Sequence, residues 1–333
     1  MHNAPWAPLR ILGTGAYLPE RVLSNADLER MIETSDAWIV KATGIHERRI
    51  AAPEQATSDL ALAAAQQALA CSGVKAADLD LIVVGTMTPD SPMPATACLV
   101  QEALGARSAA AFDMSSVACA GFTHALGLVG GLLASGPWRT ALVIGAEVLS
   151  RVTNWQDRGT CILFGDGAGA LVVRRDTEEP CAPWPVVYGS DGSGGPFLTI
   201  PAGGSRLPTT EETLRTMGHT MRMDGREVFK LAVGIVPDSL VQVVERAGLT
   251  MDEIGHIVCH QANRRIIEAV AKKLDLPMER FVVNIGHLGN TSCASIPLAL
   301  HECAQAGLFS PGEHLALCGF GGGFAWSSCV ITW

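Results

Sequence analysis

Three residues in this chain have the types and settings that thioester chemistry requires. Cys119 stands in Ser116-Val-Ala-Cys119-Ala-Gly-Phe-Thr-His, where a strand ending near Asp113 gives way to an apolar helix. A helix start carries partial positive charge and free N–H groups, which favour thiolate over thiol. Gly121, one step inside, lets another backbone come close. His260 ends a buried strand in His256-Ile-Val-Cys-His260-Gln-Ala-Asn263, and open α/β sheets place ligands at the carboxyl ends of strands. Asn290 precedes a helix in His287-Leu-Gly-Asn290-Thr-Ser-Cys. Cys, His and Asn in that order suit covalent acyl transfer, and equally a papain-like hydrolase. A buried structural cysteine, an interfacial histidine and a helix N-cap would leave the same three residues. The triplet by itself does not decide.

Other groups add no competing chemistry. His256 lies four residues before His260, but on a strand that spacing makes no metal pair, and His124, His287 and His301 read as structural. Gly165-Asp-Gly-Ala-Gly-Ala and Gly319-Phe-Gly321-Gly322-Gly323-Phe border strands and match neither a dinucleotide fingerprint nor a P-loop. A glycine run at a strand end can instead offer a backbone N–H to an oxyanion. The ten cysteines include no CxxC pair. The first residues show no charged and apolar export signal, so the thiols are expected reduced in a cytoplasmic protein.

With 333 residues, the chain is large enough for two domains or one large α/β body. Its composition is 48% hydrophobic and 17% charged, which excludes disorder and a coiled coil. The net charge of −9 argues against wholesale binding to nucleic acid or an anionic membrane. The apolar stretch near 117–134, broken by His124 and four glycines, reads as a buried helix rather than a membrane span.

The elements that must position the three residues alternate. Strands are expected at 9–13, 80–85, 140–146, 169–174, 184–189, 255–260, 313–319 and 324–332. Helices are expected at 58–72 (capped by Thr57), 95–104, 119–134, 225–247, 263–274 and 292–306. Ser24-Asn-Ala-Asp27 reads as a capping box. This alternation predicts a mainly parallel sheet system covered by helices, with 176–210 as a junction. The chain also resembles itself at an offset of 175: Gly73-Val-Lys-Ala-Ala-Asp-Leu-Asp-Leu-Ile-Val-Val matches Gly248-Leu-Thr-Met-Asp-Glu-Ile-Gly-His-Ile-Val-Cys. Turns into apolar helices follow at Cys119-Ala-Gly-Phe and Asn290-Thr-Ser-Cys. Two similar halves are implied, 1–175 and 176–333, with a site between equivalent turns.

Several ordered motifs then resemble one family. They are Thr34-Ser-Asp-Ala-Trp38-Ile, Thr43-Gly-Ile, Ala118-Cys119-Ala-Gly-Phe, Asp157-Arg158-Gly-Thr, Phe164-Gly-Asp-Gly-Ala-Gly-Ala, His260-Gln-Ala-Asn263, Gly289-Asn290-Thr-Ser-Cys-Ala-Ser and Gly321-Gly-Gly-Phe-Ala-Trp326. Over nearly its whole length the chain resembles the thiolase-fold condensing enzymes, specifically β-ketoacyl-acyl-carrier-protein synthase III. The resemblance implies an α/β, thiolase-like, duplicated αβαβα five-layered fold. It also implies decarboxylative condensation of a short acyl-CoA with malonyl-acyl carrier protein (ACP) at the start of fatty-acid synthesis.

Carried over, Cys119 is the nucleophile, with the N–H groups of Cys119 and Gly322 as its oxyanion hole. His260 and Asn290 hold the malonyl thioester carbonyl. Trp38 and Arg158 flank the CoA nucleotide, and Phe229, Ala262 and Asn263 line the pantetheine tunnel. Met93, at a position often held by Phe, faces the acyl pocket of the partner subunit in a homodimer. No metal or redox cofactor is implied; CoA is a substrate carrier. Arg265, Lys272, Lys273 and Lys230 form a basic patch for ACP, since Arg265 and Lys272 fall within about 20° of each other on a helix. Ile267, Val270 and Leu274 are expected on its core side. The chain departs from the family at Ala42, where an arginine is common, with Lys41 beside it. It also departs in an Asp113–Cys119 segment one residue longer than usual. A specialised-metabolism relative with another primer or acceptor, or a Cys-His-Asn thioester hydrolase, are the alternatives. Release of CO₂ with a ketoacyl product separates condensation from hydrolysis.

Overall fold

The computed structural model describes residues 4–6, 8–115 and 117–333. The extra residue expected before Cys119 falls in a segment containing Ser116, which lies outside the described residues. The first half runs β1 (Leu9–Tyr17), β2 (Arg21–Ser24), α1 (Asn25–Glu29), α2 (Asp36–Thr43), β3 (Glu47–Ile50), α3 (Thr57–Ser72), β4 (Leu81–Gly85), α4 (Thr96–Leu104), β5 (Ala110–Met114), α5 (Gly121–Ser135), β6 (Thr140–Glu147), α6 (Arg158–Cys161) and β7 (Gly167–Arg175). It continues with β8 (Val186–Ser190), β9 (Leu198–Thr199), α7 (Glu211–Arg215), β10 (Arg222–Met223), α8 (Gly225–Arg246), β11 (Ile254–Cys259), α9 (Arg264–Leu274), α10 (Ile285–Leu288), α11 (Ser295–Gln305), β12 (His314–Gly321) and β13 (Ala325–Thr332).

Two sheets organise these elements. The first has the order β1-β7-β6-β4-β5, and the second β11-β12-β13-β8. Phe281 adds a parallel bridge to Ile257 outside β11, where β5 sits beside β4 in the first sheet. Both sheets thus repeat one order. The expectation of a mainly parallel system is corrected here. β4 runs parallel to β5 and β6, and β11 to β12, but β7 is antiparallel to β1 and β6, and β13 to β8 and β12. A parallel pair needs a long crossover, whereas β12 and β13 are joined by three residues and can only form a hairpin. The ribbon of β2 with β3 and the two-residue pair β9 with β10 are additions that no apolar run announced.

The layers follow from which strand faces are apolar. Both faces of the first sheet are covered, so its central strands are apolar on successive residues. Leu81, Val83, Ala141, Val143, Leu171 and Val173 join the core toward the second sheet. Ile82, Val84, Leu142, Ile144, Ala170 and Val172 pack the other way, with Leu60, Ala61, Ala64, Ala65 and Ala68 of α3. Small residues let α3 sit close: a Cβ on Gly15 of β1 would lie 2.1 Å from the Ala64 carbonyl oxygen. The helices α5 and α11 lie between the sheets, and α8, backed by α9, covers the outer face of the second. Helix, sheet, helix, sheet, helix is the resulting stack. The apolar stretch Ala118–Ser135 is two-thirds buried in the central layer.

Local signals mostly place the ends. The Ser24–Asp27 capping box forms reciprocally. Thr57 is the first residue of α3 rather than its cap; Ala56 takes that position, and the Asp59 side chain accepts its N–H. Asn263 caps α9, its side chain accepting from Arg265 N.

Candidate active site

Cys119 lies in a one-turn 3₁₀ segment, Ala118–Ala120, that leads into α5. His260 is the residue after β11, and Asn290 closes the loop that enters the 3₁₀ turn Ser292–Ala294 before α11. The fold brings all three to one cleft with about 680 Å³ of empty space, lined also by Met87, Phe320 and Gly321. The chain must come very close to the nucleophile from behind. A Cβ on Gly321 would lie 2.7 Å from the Cys119 nitrogen, so only glycine fits there. Gly322, expected as an oxyanion donor, follows directly and lines the adjoining recess with Ala118.

The two turns into the central helices match more closely than the sequence shows. Ala118 and Ser292 both adopt left-handed φ, +44° and +48°. Each is the first residue of its 3₁₀ turn, so the counterpart of Cys119 is Cys293. The expected pairing of Asn290 with Cys119 is corrected accordingly: Asn290 reaches the cleft from three residues earlier. The Cys293 thiol donates to the Ala118 carbonyl at 2.9 Å and is buried behind the nucleophile.

Both reactive groups rest neutral. Burial pushes the Cys119 thiol up to about 12; the nearby Glu147 charge adds to this, and the Ser292 hydroxyl opposes it. Burial alone pushes His260 down to about 3. His260 Nδ1 is hydrogen-bonded to Ser295 Oγ at 2.7 Å, and its ring meets Phe320 edge-on at 5.3 Å. Asn290 Oδ1 accepts from Ser292 N at 2.9 Å. That fixes the amide and leaves Nδ2 as a donor for the cleft.

The other expected positions divide into groups. Phe229, Ala262 and Asn263 line the same cleft. The Arg158 guanidinium lies over the Trp38 ring, 4.6 Å from its centroid, a cation–π contact. Trp38, Lys41, Ala42 and Arg265 line a further recess, and Asn263 Nδ2 donates to the Ala42 carbonyl at 3.0 Å. Met93 is 84% exposed and lines none of this chain's own cleft.

On α9, Arg265 and Lys272 are exposed and form no ion pair among the described residues. Lys273 bonds Asp238 and the Gly234 carbonyl, and Lys230 pairs with Glu227, so these two are less available than expected. Ile266, Ile267, Val270 and Ala271 are its buried face, with Leu274 partly covered.

Sequence reasoning missed Met87, Phe320, Ser295 and Glu147. Only Glu147 carried a usable signal, an acidic residue closing the apolar strand β6 at its carboxyl end.

A cysteine at a helix start, opposite a neutral imidazole and an oriented amide inside a doubled α/β stack, defines a thiolase-fold condensing acyltransferase. A family model described as 3-oxoacyl-[acyl-carrier-protein (ACP)] synthase III matches residues 112–192, and its C-terminal companion matches 244–333. The chain is 50% identical over 323 residues to the β-ketoacyl-[acyl-carrier-protein] synthase III of Caldanaerobacter subterraneus subsp. tengcongensis, covering 97% of each protein. It is 50% identical to that of Symbiobacterium thermophilum, covering 98% of each. The crystal structure of 3-oxoacyl-[acyl-carrier-protein] synthase III from Aquifex aeolicus VF5 superposes with a TM-score of 0.88 at 42% identity, over 98% of this chain and 100% of that one. The chain belongs to the β-ketoacyl-[acyl-carrier-protein] synthase III family.

Proposed function

We infer that the protein joins a short acyl-CoA primer to malonyl-ACP by decarboxylative Claisen condensation, yielding 3-oxoacyl-ACP, CoA and CO₂ and starting fatty-acid synthesis. The observation that carries this reading is the convergence of Cys119, His260 and Asn290 in one cleft, with the imidazole held neutral. In the first half-reaction Cys119 attacks the primer thioester, and the developing oxyanion takes N–H donors from Cys119 and Gly322. In the second, His260 Nε2–H and Asn290 Nδ2–H donate to the malonyl thioester carbonyl. They stabilise the enolate left when CO₂ departs, and its carbon attacks the acyl-Cys119 carbonyl. Ser295 sets the tautomer this requires, by donating its hydroxyl to His260 Nδ1. Losing CO₂ generates the carbanion without a strong base. No step calls for a metal or redox group.

Trp38, Arg158, Phe229, Ala262 and Asn263 form the CoA and pantetheine path in this scheme. Arg265 and Lys272 receive the acidic carrier protein, with Lys273 and Lys230 at the patch edge. Met93 completes the acyl pocket of a partner in a homodimer. Residues 1–175 and 176–333 are the two units of the duplicated fold, supported by the repeated strand order. All ten cysteines are free thiols, which suits a reducing cytoplasm. Incubation with acetyl-CoA and malonyl-ACP tests the activity. Condensation yields CO₂ and acetoacetyl-ACP in equal amounts, whereas free acetate and CoA with no ketoacyl product would indicate a hydrolase.

A further inference from the structure

Behind Met87 of the cleft wall lies a buried carboxylate that the scheme above does not use. Glu147 ends β6 with no exposure and forms no ion pair among the described residues. Its oxygens accept from Met87 N at 3.1 Å, Thr88 N at 3.2 Å, Thr88 Oγ1 at 2.6 Å, Thr86 Oγ1 at 3.2 Å and Cys293 N at 3.4 Å. These donors favour the ionised form, while burial raises the pKa. The carboxyl is thereby brought closer to a group that can take and return a proton near neutral pH.

Ser292 opens the 3₁₀ turn that packs against both the Cys119 turn and the strand ending in Glu147. It is 1% exposed and lines the cleft beside Cys119. Its hydroxyl is enclosed with no hydrogen-bond partner, and the next residue, Cys293, donates its N–H to Glu147 at 3.4 Å. A serine at φ +48° is held in a region that costs any residue with a Cβ. An enclosed hydroxyl kept unsatisfied at such a position needs a reason.

We propose that Ser292 and Glu147 form a proton relay for the acyl-transfer half-reaction. As the Cys119 Sγ–acyl carbon bond forms, the thiol proton passes to Ser292 Oγ and the serine proton passes to Glu147. The bond from the acyl carbon to the CoA sulfur breaks, and CoA leaves as a thiolate. The proton on Glu147 returns through Ser292 to that thiolate, giving CoA–SH and restoring the carboxylate. In this relay Ser292 meets the reacting sulfur and Glu147 acts through it. The relay rests on the condensing-enzyme reading, and it assigns the two half-reactions to different polar groups.

The test uses the full-length protein and two separate readouts: acylation of Cys119 by acetyl-CoA in a single turnover, and CO₂ release from malonyl-CoA without primer. Ser292→Gly is the informative variant, because glycine suits positive φ and keeps the N–H that holds Asn290. It is expected to slow acylation about 100-fold or more, as for loss of a proton-transfer group, with CO₂ release within about threefold of wild type. Glu147→Gln should show the same split, and the double variant should be no slower than the slower single, since one path is cut once. Acylation in Ser292→Gly within threefold of wild type, or equal loss of both half-reactions, overturns the relay. A wild-type protein that takes no acyl group onto Cys119 overturns the functional reading and the relay together, which separates the two failures.

Discussion

His260 Nδ1 lies 2.7 Å from Ser295 Oγ, so the residue that follows β11 is tied to the first residue of α11. The bond couples the imidazole to the helix that Asn290 introduces, and in the proposed scheme, where Ser295 donates, it leaves the proton on Nε2. Ser295→Ala is therefore expected to lower malonyl decarboxylation by about tenfold. Acyl transfer to Cys119 should change far less. The measurement is CO₂ release set against acyl-enzyme formation, and a loss confined to acyl transfer would contradict the tautomer role.

Burial of His260 makes a statement about pH. In the folded protein the imidazole stays neutral down to about pH 3, while the unfolded chain protonates it near the ordinary 6.5. Between those values the unfolded state binds more protons. Stability is then fully present above 6.5 and falls as pH drops, by up to about 1.4 kcal/mol per pH unit from this group. His260→Asn should show a flatter loss of urea midpoint between pH 7 and 4.5 than wild type. Superimposable curves would mean that the imidazole titrates normally.

Cys119 is expected to be the one thiol of ten that is acylated. Cys161 and Cys259 are buried but line no part of the cleft. Acetyl-CoA labelling with peptide mass mapping should place the group on Cys119. His260→Ala and Asn290→Ala should lose decarboxylation by about 10²-fold or more, the usual scale for an oxyanion donor. Both should retain most acyl transfer, whose proposed donors are backbone groups. Label on another cysteine, with Cys119→Ala still active, would remove the basis of the mechanism.

The legibility of this site in the sequence follows the range of each signal. Cys119 and His260 were visible because a helix start and a strand end are local features, written within a few residues. Asn290 resembled a plain N-cap, and its repeat partner was misaligned by three residues because weak identity cannot register a 3₁₀ turn; the matching left-handed residues Ala118 and Ser292 do so at once. Ser295 and Glu147 act across long sequence separations, on His260 and on the turns at Met87 and Cys293, and no local pattern reports such contacts. Strand direction was similarly hidden. Buried strands of either sense read as apolar runs, so the antiparallel β7 and β13 looked like parallel ones.

Ala42 leaves a recess beside Trp38, Lys41 and Arg265 with room for a longer side chain. Ala42→Arg should place a guanidinium where a CoA phosphate is expected to pass, making a charge-assisted contact. The expected result is a lower KM for acetyl-CoA at low salt, with the gain shrinking as ionic strength rises. A KM unchanged at every salt concentration would count against placing the nucleotide there.

The carrier protein poses a charge problem, since acyl carrier proteins are acidic and this chain carries −9. Productive encounter then depends on local cations not already neutralised. On α9, Arg264 is paired with Glu268 and Lys273 with Asp238, which leaves Arg265 and Lys272. The two are not equivalent. Arg265 borders the recess of Trp38 and Ala42 and lies over the Phe229 ring at 5.8 Å, so it is placed to serve both the proposed CoA path and the proposed carrier surface. Lys272, two turns further along, lines none of the clefts at the mouth. Lys272→Glu should therefore raise KM for malonyl-ACP several-fold, through slower encounter that is most evident at low salt, with malonyl-CoA decarboxylation unchanged. Arg265→Glu should impair both malonyl carriers. Steady-state kinetics with the two carriers at two ionic strengths distinguish these patterns. If Lys272→Glu lowers malonyl-CoA use as much as malonyl-ACP use, this face of α9 supports the fold or the tunnel rather than the carrier.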